Sequence, residues 1–558
     1  MKDVTVAPFR RSTLIRVKAR TQLAALAALV AACAAPTTAS AALRGADGAP
    51  GVALPGDAAA AGVQADPSGW IVGAQPGRAA ARIARAHGAR HIAGGAWRTS
   101  RAGTRSLAAE LRAAGLLRYA EPDRYSTRTQ APAPDPLSAA SPWRARIVDP
   151  SLVPPPVTPT SPLIALVDSQ LDITHPEFKS GNVATTGGQA LTDFHGTATA
   201  AVAAAAANGV GNLGVWPGAR ALNVALPSRI LCSDSARQID AARRAGAAVI
   251  NMSYGSTERC TTEADAIQRA VRAGIVPVAA SGNEFDQGNP NEFPAMLPHV
   301  MTVAALAGDD RPTFFSSESA AVDVSAPGLN VLTAVPARSG KDFDGDGQVD
   351  GFASVSGTSF SAPMVSGAVA WIRAARPELT QDQVQNVMRF GARDIGDPGY
   401  ESATGYGILS VAGALARQAP PADPAEPNDD VRFVNGRAFG EAGKPLFRKN
   451  GRAATVSATA DAFEDPIDVY RIKVRAGSRA KIRLAPSVGD PDLYVFRGGV
   501  QSVGAAPLTR SRKGSGKTDS ATVRNRKGRT ATYFVAVGFS RDKRLRLLNA
   551  SYSLRVSR

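Results

Sequence analysis

Residues 247–284, "AAVINMSYGSTERCTTEADAIQRAVRAGIVPVAASGNE", hold two short apolar runs separated by a longer amphipathic segment. The runs at 247–255 and 275–284 are rich in Val, Ile and Ala, and each has the length of a strand. Between them, residues 262–273 carry apolar groups at helical spacing. A strand, a helix and a second strand in that order favour a crossover that brings the two strands parallel in one sheet. The same alternation runs outward in both directions. "PLIALVD" (162–168), "ARALNVAL" (219–226) and "HVMTVAAL" (299–306) read as further strands, and 195–207, 234–246, 359–375 and 380–392 as helices. The expected fold of residues 162–418 is therefore α/β, a parallel sheet with helices on both faces. In such folds the reactive groups gather beyond the carboxyl ends of the strands.

Outside this block the composition changes. Residues 1–41 read as an export signal, with Arg10, Arg11, Arg16, Lys18 and Arg20 before the apolar run "LAALAALVAACAA" and the small-residue site Ala39, Ser40, Ala41. A buried Ala-rich helix is the bland alternative, but such helices rarely follow five basic residues. "VAAC", ending at Cys33, is similar to a lipoprotein cleavage box, so lipid anchoring at Cys33 stands beside plain secretion. Residues 42–69 are loose in composition. Residues 70–128 form a small α+β unit, with "GWIVGAQ" as a strand, "GRAAARIARAHG" as a helix and "LAAELRAAGLLRYAEPDRY" as a helix leading into a strand. Residues 129–161 are a Pro-rich connector and 419–430 a linker containing "PPADPAEPNDD". In 431–558, "PIDVYRIKV", "SRAKIRLA", "PDLYVF", "TATYFVAVG" and "ASYSLRVS" alternate apolar and polar residues, as an antiparallel β-sandwich requires.

The net charge of +17 is uneven: +11 over residues 1–159, −9 over 160–424 and +15 over 425–558. An acidic middle argues against a uniform nucleic-acid binder, and no nucleic-acid partner is expected. In an exported chain that loses Cys33 with its signal, Cys232 and Cys260 remain and read as one disulfide, with two buried thiols as the alternative.

"VSGTSFSAPMVSG" (355–367) places Ser359 beside a glycine, at the start of a small-residue helix with Pro363 in its first turn. Its Oγ would lie near the positive end of the helix dipole, which favours an alkoxide but does not replace a base. The chain has five histidines, and His195 in "DFHGTATAAVAAAAANG" opens a helix at the active edge of the expected sheet. Asp168 ends the strand "PLIALVD" at that edge, where a carboxylate could orient the imidazole. Asn283, in "AASGNE", could supply an amide to an oxyanion. His87, His91, His175 and His299 read as structural.

On these residues the chain resembles the subtilisin-like serine proteases. "LIALVDSQLDITHPEF" is similar to their aspartate box, "HGTATAAVAA" to their histidine box and "GTSFSAPMVSG" to their serine box, in the order Asp, His, Ser. The resemblance implies a secreted serine endopeptidase with Asp168, His195 and Ser359 as the triad and Asn283 as the oxyanion donor. It also implies that Ser253, Tyr254 and Gly255 bind substrate beside the P1 pocket, and that catalysis needs no cofactor. Two positions depart from the pattern: Gln170 replaces a usual glycine and Ala198 a usual second histidine. They leave open an inactive binding or adhesion protein on the same scaffold. A lipase of the α/β-hydrolase type does not fit, because "GTSFS" lacks the second glycine of the nucleophile elbow.

Residues 70–128 resemble the inhibitor-type propeptide of these proteases, which implies an intramolecular inhibitor. The C-terminal unit, with "AEPNDD" and "DPDLYVFRGG", resembles the bacterial pre-peptidase C-terminal domain. "DFDGDGQVD" spaces Asp342, Asp344, Asp346 and Asp350 as in a calcium loop but lacks its final glutamate, so structural calcium is weighed against a solvated acidic hairpin tip. "SRKGSGKT" lacks the first glycine of a phosphate loop. The basic run 510–529 reads as a solvated hairpin, with an acidic cell-surface polymer as its alternative partner.

Overall fold

The computed structural model describes residues 65–558 except 76, 94–95, 125–141, 180–181, 187–190, 192, 424, 448–451, 462, 464 and 540–548. The expected export signal, Cys33, most of the loose segment and the first part of the connector lie outside the described residues. The chain divides into two units, residues 1–130 and 131–558.

In the first unit the order is β1 (Ala65–Ala74), α1 (Arg78–Ala86), β2 (Arg90–Ala93), β3 (Ala96–Ser100), α2 (Arg101–Ala113) and β4 (Leu117–Arg124). The four strands form an antiparallel sheet in the order β2-β3-β1-β4, a βαββαβ arrangement. Val72, Trp97, Leu107 and Leu111 make its core. Ser100 caps α2 by accepting the Gly103 N–H at 3.1 Å, satisfying a donor the helix end leaves open.

The second unit contains a seven-stranded, all-parallel sheet built from β5 (Ile164–Asp168), β6 (Val183–Thr185), β7 (Ala221–Ala225), β8 (Val249–Met252), β9 (Val276–Ala280), β10 (Met301–Leu306) and β11 (Val322–Pro327). Its order is β11-β10-β9-β8-β5-β7-β6. The central strands are buried on both faces, which explains why their sequences are continuous apolar runs. One face packs against α3 (His195–Ala204), α6 (Thr358–Ala375) and α7 (Gln381–Phe390), the other against α4 (Cys232–Arg244) and α5 (Thr261–Arg272). Cys232 and Cys260 are joined, tying the starts of α4 and α5 together with a Cα–Cα separation of 6.1 Å. The chain leaves β5 toward one edge and returns past it at β8, so the ends of β5 and β8 diverge. This is the switch point at which open parallel sheets form a crevice.

The connector is less loose than its prolines imply where it is described. Trp143 and Ile147 are buried in the main core of this unit, and Trp143 Nε1 donates to the Leu332 carbonyl at 3.3 Å. Arg144 Nε donates to the Gly214 carbonyl at 2.8 Å.

A hairpin of β12 (Val331–Ala334) and β13 (Phe352–Val355) leads into α6. Beyond residue 430, two antiparallel four-stranded sheets enclose one core. The first comprises β14 (Ala454–Asp461), β16 (Arg479–Val488), β19 (Asp519–Arg524) and β21 (Asn549–Ser557); the second β15 (Ile467–Val474), β17 (Pro491–Arg497), β18 (Thr509–Ser511) and β20 (Ala531–Phe539). "SRKGSGKT" runs from β18 into β19, with no helix after it.

Linker residues Glu426 and Asp429 are held against the parallel-sheet domain. His299 Nε2 lies 2.9 Å from Asp429 and 3.3 Å from Glu426. Arg389, on α7, reaches both Asp323 of β11 at 3.6 Å and Asp461 of β14 at 3.4 Å. Asp423, Glu426, Asp465 and Asp468 converge beside this junction. Burial pushes the Asp423 carboxyl up to about 8, with the Glu426 charge adding to it. Burial pulls the His299 imidazole down, but Asp429 and Glu426 outweigh it and hold the pKa well above the ordinary value.

Candidate active site

Asp168 is the last residue of β5 and is buried. Its Oδ1 lies 2.7 Å from His195 Nδ1 and accepts the Ser169 N–H at 2.7 Å, while Oδ2 accepts the Thr199 hydroxyl at 3.0 Å. Three bonds to two oxygens fix the carboxylate and, through it, the tautomer and tilt of the imidazole.

His195 is the first residue of α3. Asp193 accepts its backbone N–H at 3.0 Å and also receives the Ser169 hydroxyl. Ser169 Oγ in turn accepts the Gly196 N–H at 2.9 Å. The start of α3 is thereby laced to the end of β5. Gly196 is required there, because a methyl group on it would sit 2.0 Å from the Ser169 carbonyl oxygen. Burial lowers the His195 pKa, but the charge and hydrogen bond of Asp168, with the charge of Asp193, outweigh it and raise the net value.

Ser359 is the second residue of α6, next to Phe360, whose ring lies 5.5 Å from the His195 imidazole. Its Oγ donates to the Ser253 carbonyl at 3.3 Å. Ser253 Oγ donates back to the Ser359 carbonyl at 2.8 Å and accepts from Asn251 Nδ2 at 2.9 Å. Asn251 Oδ1 accepts the Ser366 hydroxyl at 3.0 Å. This buried chain pins α6 to the end of β8.

Asn283 follows β9. Its Oδ1 accepts both the Thr358 N–H at 2.9 Å and the Thr358 hydroxyl at 3.0 Å. Among the described residues its Nδ2 has no hydrogen-bond acceptor, so the amide is held by its oxygen and keeps an N–H pair to offer. Gly357, at φ +149°, packs beside it: a methyl there would be 3.6 Å from Nδ2.

The four residues read as the reactive set thus come together at one edge of the sheet. Of the substrate-binding candidates, Ser253 meets α6, Gly255 borders Glu292, and the Tyr254 hydroxyl donates to Glu263 at 3.1 Å. Gln170 is buried and donates to Thr185 Oγ1 at 2.9 Å, so a side chain fits where the pattern has none. Ala198 is fully buried in α3. The other histidines stand elsewhere: His87 pairs with Glu110 at 2.6 Å, His91 packs on Trp97, and His175 Nε2 meets the Gly351 carbonyl at 3.0 Å. Motif reading missed Ser169, Asp193, Thr199 and Thr358. Asp193 carried a signal, since a short acceptor just before a helix start is a capping pattern.

Asp342, Asp344 and Asp346 converge in the β12–β13 hairpin, and Asp350 instead accepts the Phe352 N–H at 2.9 Å. Gly345 and Gly347 both donate to Asp342, at 2.7 and 2.9 Å.

The sequence profile described as the subtilase family matches residues 160–407. Subtilisin DY of Bacillus licheniformis is 31% identical over 265 residues, which cover 45% of this chain and 89% of that protein. The chain belongs to the subtilase family. Subtilases are serine endopeptidases, and this one shares 30% identity over 295 residues with fervidolysin of Fervidobacterium pennivorans. That match covers 47% of this subtilase and 41% of fervidolysin, under half of the relative's length. The solved structure of fervidolysin, titled a keratinolytic enzyme related to subtilisin, aligns over 82% of this chain and 85% of its own, at 19% identity and a TM-score of 0.47. Among the described residues no helix is long and apolar enough to cross a membrane.

Proposed function

We propose that this subtilase is a secreted endopeptidase, made with an export signal, that cleaves peptide bonds through an acyl-enzyme on Ser359. The observation that carries the reading is the 2.7 Å contact between Asp168 and His195 beside the helix that presents Ser359. In the proposed reaction Ser359 Oγ turns from the Ser253 carbonyl to His195 Nε2, a side-chain rotation of the fast kind. His195 takes the hydroxyl proton as Oγ attacks the carbonyl carbon, then gives it to the leaving amine. Asp168 stabilises the imidazolium. Asn283 Nδ2 and the Ser359 backbone N–H receive the oxyanion. Water then repeats the sequence on the ester. The residue set favours this over the inert-scaffold reading, since Gln170 is accommodated without disturbing the Asp168–His195 pair.

The flanking parts follow the same reading. The unit before residue 130 is the propeptide and intramolecular inhibitor, its basic charge complementing an acidic peptidase domain. Asp342, Asp344 and Asp346 would hold a structural calcium ion; three carboxylates around a glycine-turned loop suit a hard cation. The C-terminal sheets correspond to a pre-peptidase-type domain, and their basic run 510–529 would meet an acidic cell-surface polymer.

A fluorophosphonate tests the central point. It should label the mature protein at Ser359, and Ser359→Ala should neither label nor cleave its own propeptide. Maturation of purified Ser359→Ala alone would overturn the assignment.

A further inference from the structure

Two segments border the nucleophile. Ser253 and the three residues after it form one, since the Ser253 carbonyl accepts Ser359 Oγ. Ser281 to Glu284 form the other, since Asn283 accepts the Thr358 N–H. When a serine attacks a peptide carbonyl, the residue supplying that carbonyl must lay its side chain against the walls of the nucleophile's own pocket. Each wall has a glycine, Gly255 on one and Gly282 on the other, and what lies beside both is the side chain of Glu292. A methyl group on Gly255 would be 2.7 Å from Glu292 Oε2, and one on Gly282 would be 2.6 Å from Glu292 Cγ. The position of Glu292 is set by its neighbour: Phe293 and Ser256 exchange two backbone hydrogen bonds, at 2.9 and 2.8 Å.

The Glu292 residue is only 6% exposed. Among the described residues its carboxylate makes no hydrogen bond or ion pair, and the charge that acts on it is that of Glu284. The charged group beside it is Glu284, whose Oε2 would lie 2.9 Å from a methyl on Gly282 and which accepts the Asn283 N–H at 2.6 Å. Burial and the Glu284 charge together raise the Glu292 pKa. Buried carboxylates are ordinarily paired, because desolvating a charge without a partner is costly. The two glycines that border its side chain belong to the same two segments that border Ser359.

We infer that Glu292 is the anionic floor of the pocket for the residue preceding the scissile bond, and that this subtilase cleaves after lysine or arginine. The inference rests on the proposed role of Ser359. A basic side chain passing between the two glycines meets Glu292 with Glu284 behind it, and its cation supplies the counter-charge that the fold withholds. An apolar side chain would leave that carboxylate buried and unpaired, which disfavours it.

The test uses the full-length chain after maturation, titrated with fluorophosphonate so that rates refer to competent sites. Tetrapeptide p-nitroanilides differ only in the last residue: Arg, Lys, Phe, Leu or Glu. The parent should prefer Arg or Lys over Phe and Leu by roughly a hundredfold in kcat/KM. Glu292→Gln should collapse that ratio, and Glu292→Lys should turn preference toward the Glu substrate. Benzamidine should inhibit the parent competitively and Glu292→Gln at least tenfold less. Best turnover of Phe or Leu by the parent, or an Arg-to-Phe ratio unchanged in Glu292→Gln, would overturn the inference. The fluorophosphonate titration separates the two levels: if the label is found on a residue other than Ser359, the nucleophile is misassigned. If Ser359 is labelled while the parent prefers Phe, only the role of Glu292 falls.

Discussion

Ser359 Oγ bonds to the carbonyl of Ser253 at 3.3 Å, while the imidazole of His195 is held 2.7 Å from Asp168. The proposed nucleophile and its proposed base are therefore positioned by separate parts of the sheet, Ser253 following β8 and Asp168 ending β5. The hydrogen bonds that hold each are distinct, so the Asp168 carboxylate can be changed without removing a bond to Ser359.

Asp168→Asn should leave fluorophosphonate accessible to Ser359 but lower kcat by about 10⁴, the generic cost of losing the orienting carboxylate in such triads. The base works only when His195 is neutral. Because its folded pKa is raised, kcat/KM of the parent should decline as pH falls through a value above the ordinary 6.5 of histidine. In Asp168→Asn that acid limb should move to lower pH. A pH–rate profile with an unmoved limb would assign the titration to another group.

Asn283→Ala should reduce kcat by about 10²–10³ with little change in KM, the known cost of removing one oxyanion donor in this family. Steady-state kinetics on a single p-nitroanilide decides it. A rise in KM alone would mean that Asn283 binds the ground state.

The junction near His299 should weaken as pH rises. His299 has a raised pKa, so its contribution is complete below the unfolded value near 6.5 and is lost as pH climbs through the folded one. Asp423, pushed up to about 8, is held neutral in the fold. Its penalty is absent below about 4 and grows from there to about 8. Glu426, Asp429, Asp465 and Asp468 face the same space, with Asp382 nearby, and Glu426, Asp465, Asp468 and Asp382 are raised in the same direction. Limited proteolysis in the 419–430 linker should accelerate between pH 6 and 9 on the order of tenfold, as a loss of about 1.4 kcal/mol implies. His299→Gln should flatten much of that rise.

Chelation should lower Tm if calcium occupies the β12–β13 hairpin, since a hundredfold excess of ligand over Kd stabilises by about 2.7 kcal/mol. Asp344→Ala with Asp346→Ala should abolish the shift, as read by calorimetry on Ser359→Ala to exclude self-digestion. An undiminished shift would locate the ion elsewhere.

The parallel sheet was legible because its strands are buried on both faces and so carry unbroken Val, Ile and Ala runs, as in β8 and β9. The three-residue β6 and the hairpin strands β12 and β13 left no comparable trace; they are defined by pairing, which local pattern does not encode. Asp168, His195 and Ser359 stood out because each ends a strand or opens a helix in a recognisable box. Glu292 did not, since its meaning comes from two glycines, 37 and 10 positions away, that meet it only in the fold. The linker acids gave no signal for a different reason. Asp423 and Glu426 sit among prolines in a stretch that reads only as a linker, yet both are enclosed by residues distant in sequence.

The helix that carries Ser359 is buried along nearly its whole length, and Ser361 and Ser366 bond into the sheet beneath it. Its amides should therefore exchange with solvent only when the entire domain opens, as in the slowest-exchanging segments of a protein. The working lifetime of the enzyme is then a property of the domain as a whole: catalytic competence should disappear together with the last protected amides, without a long-lived folded but inactive intermediate.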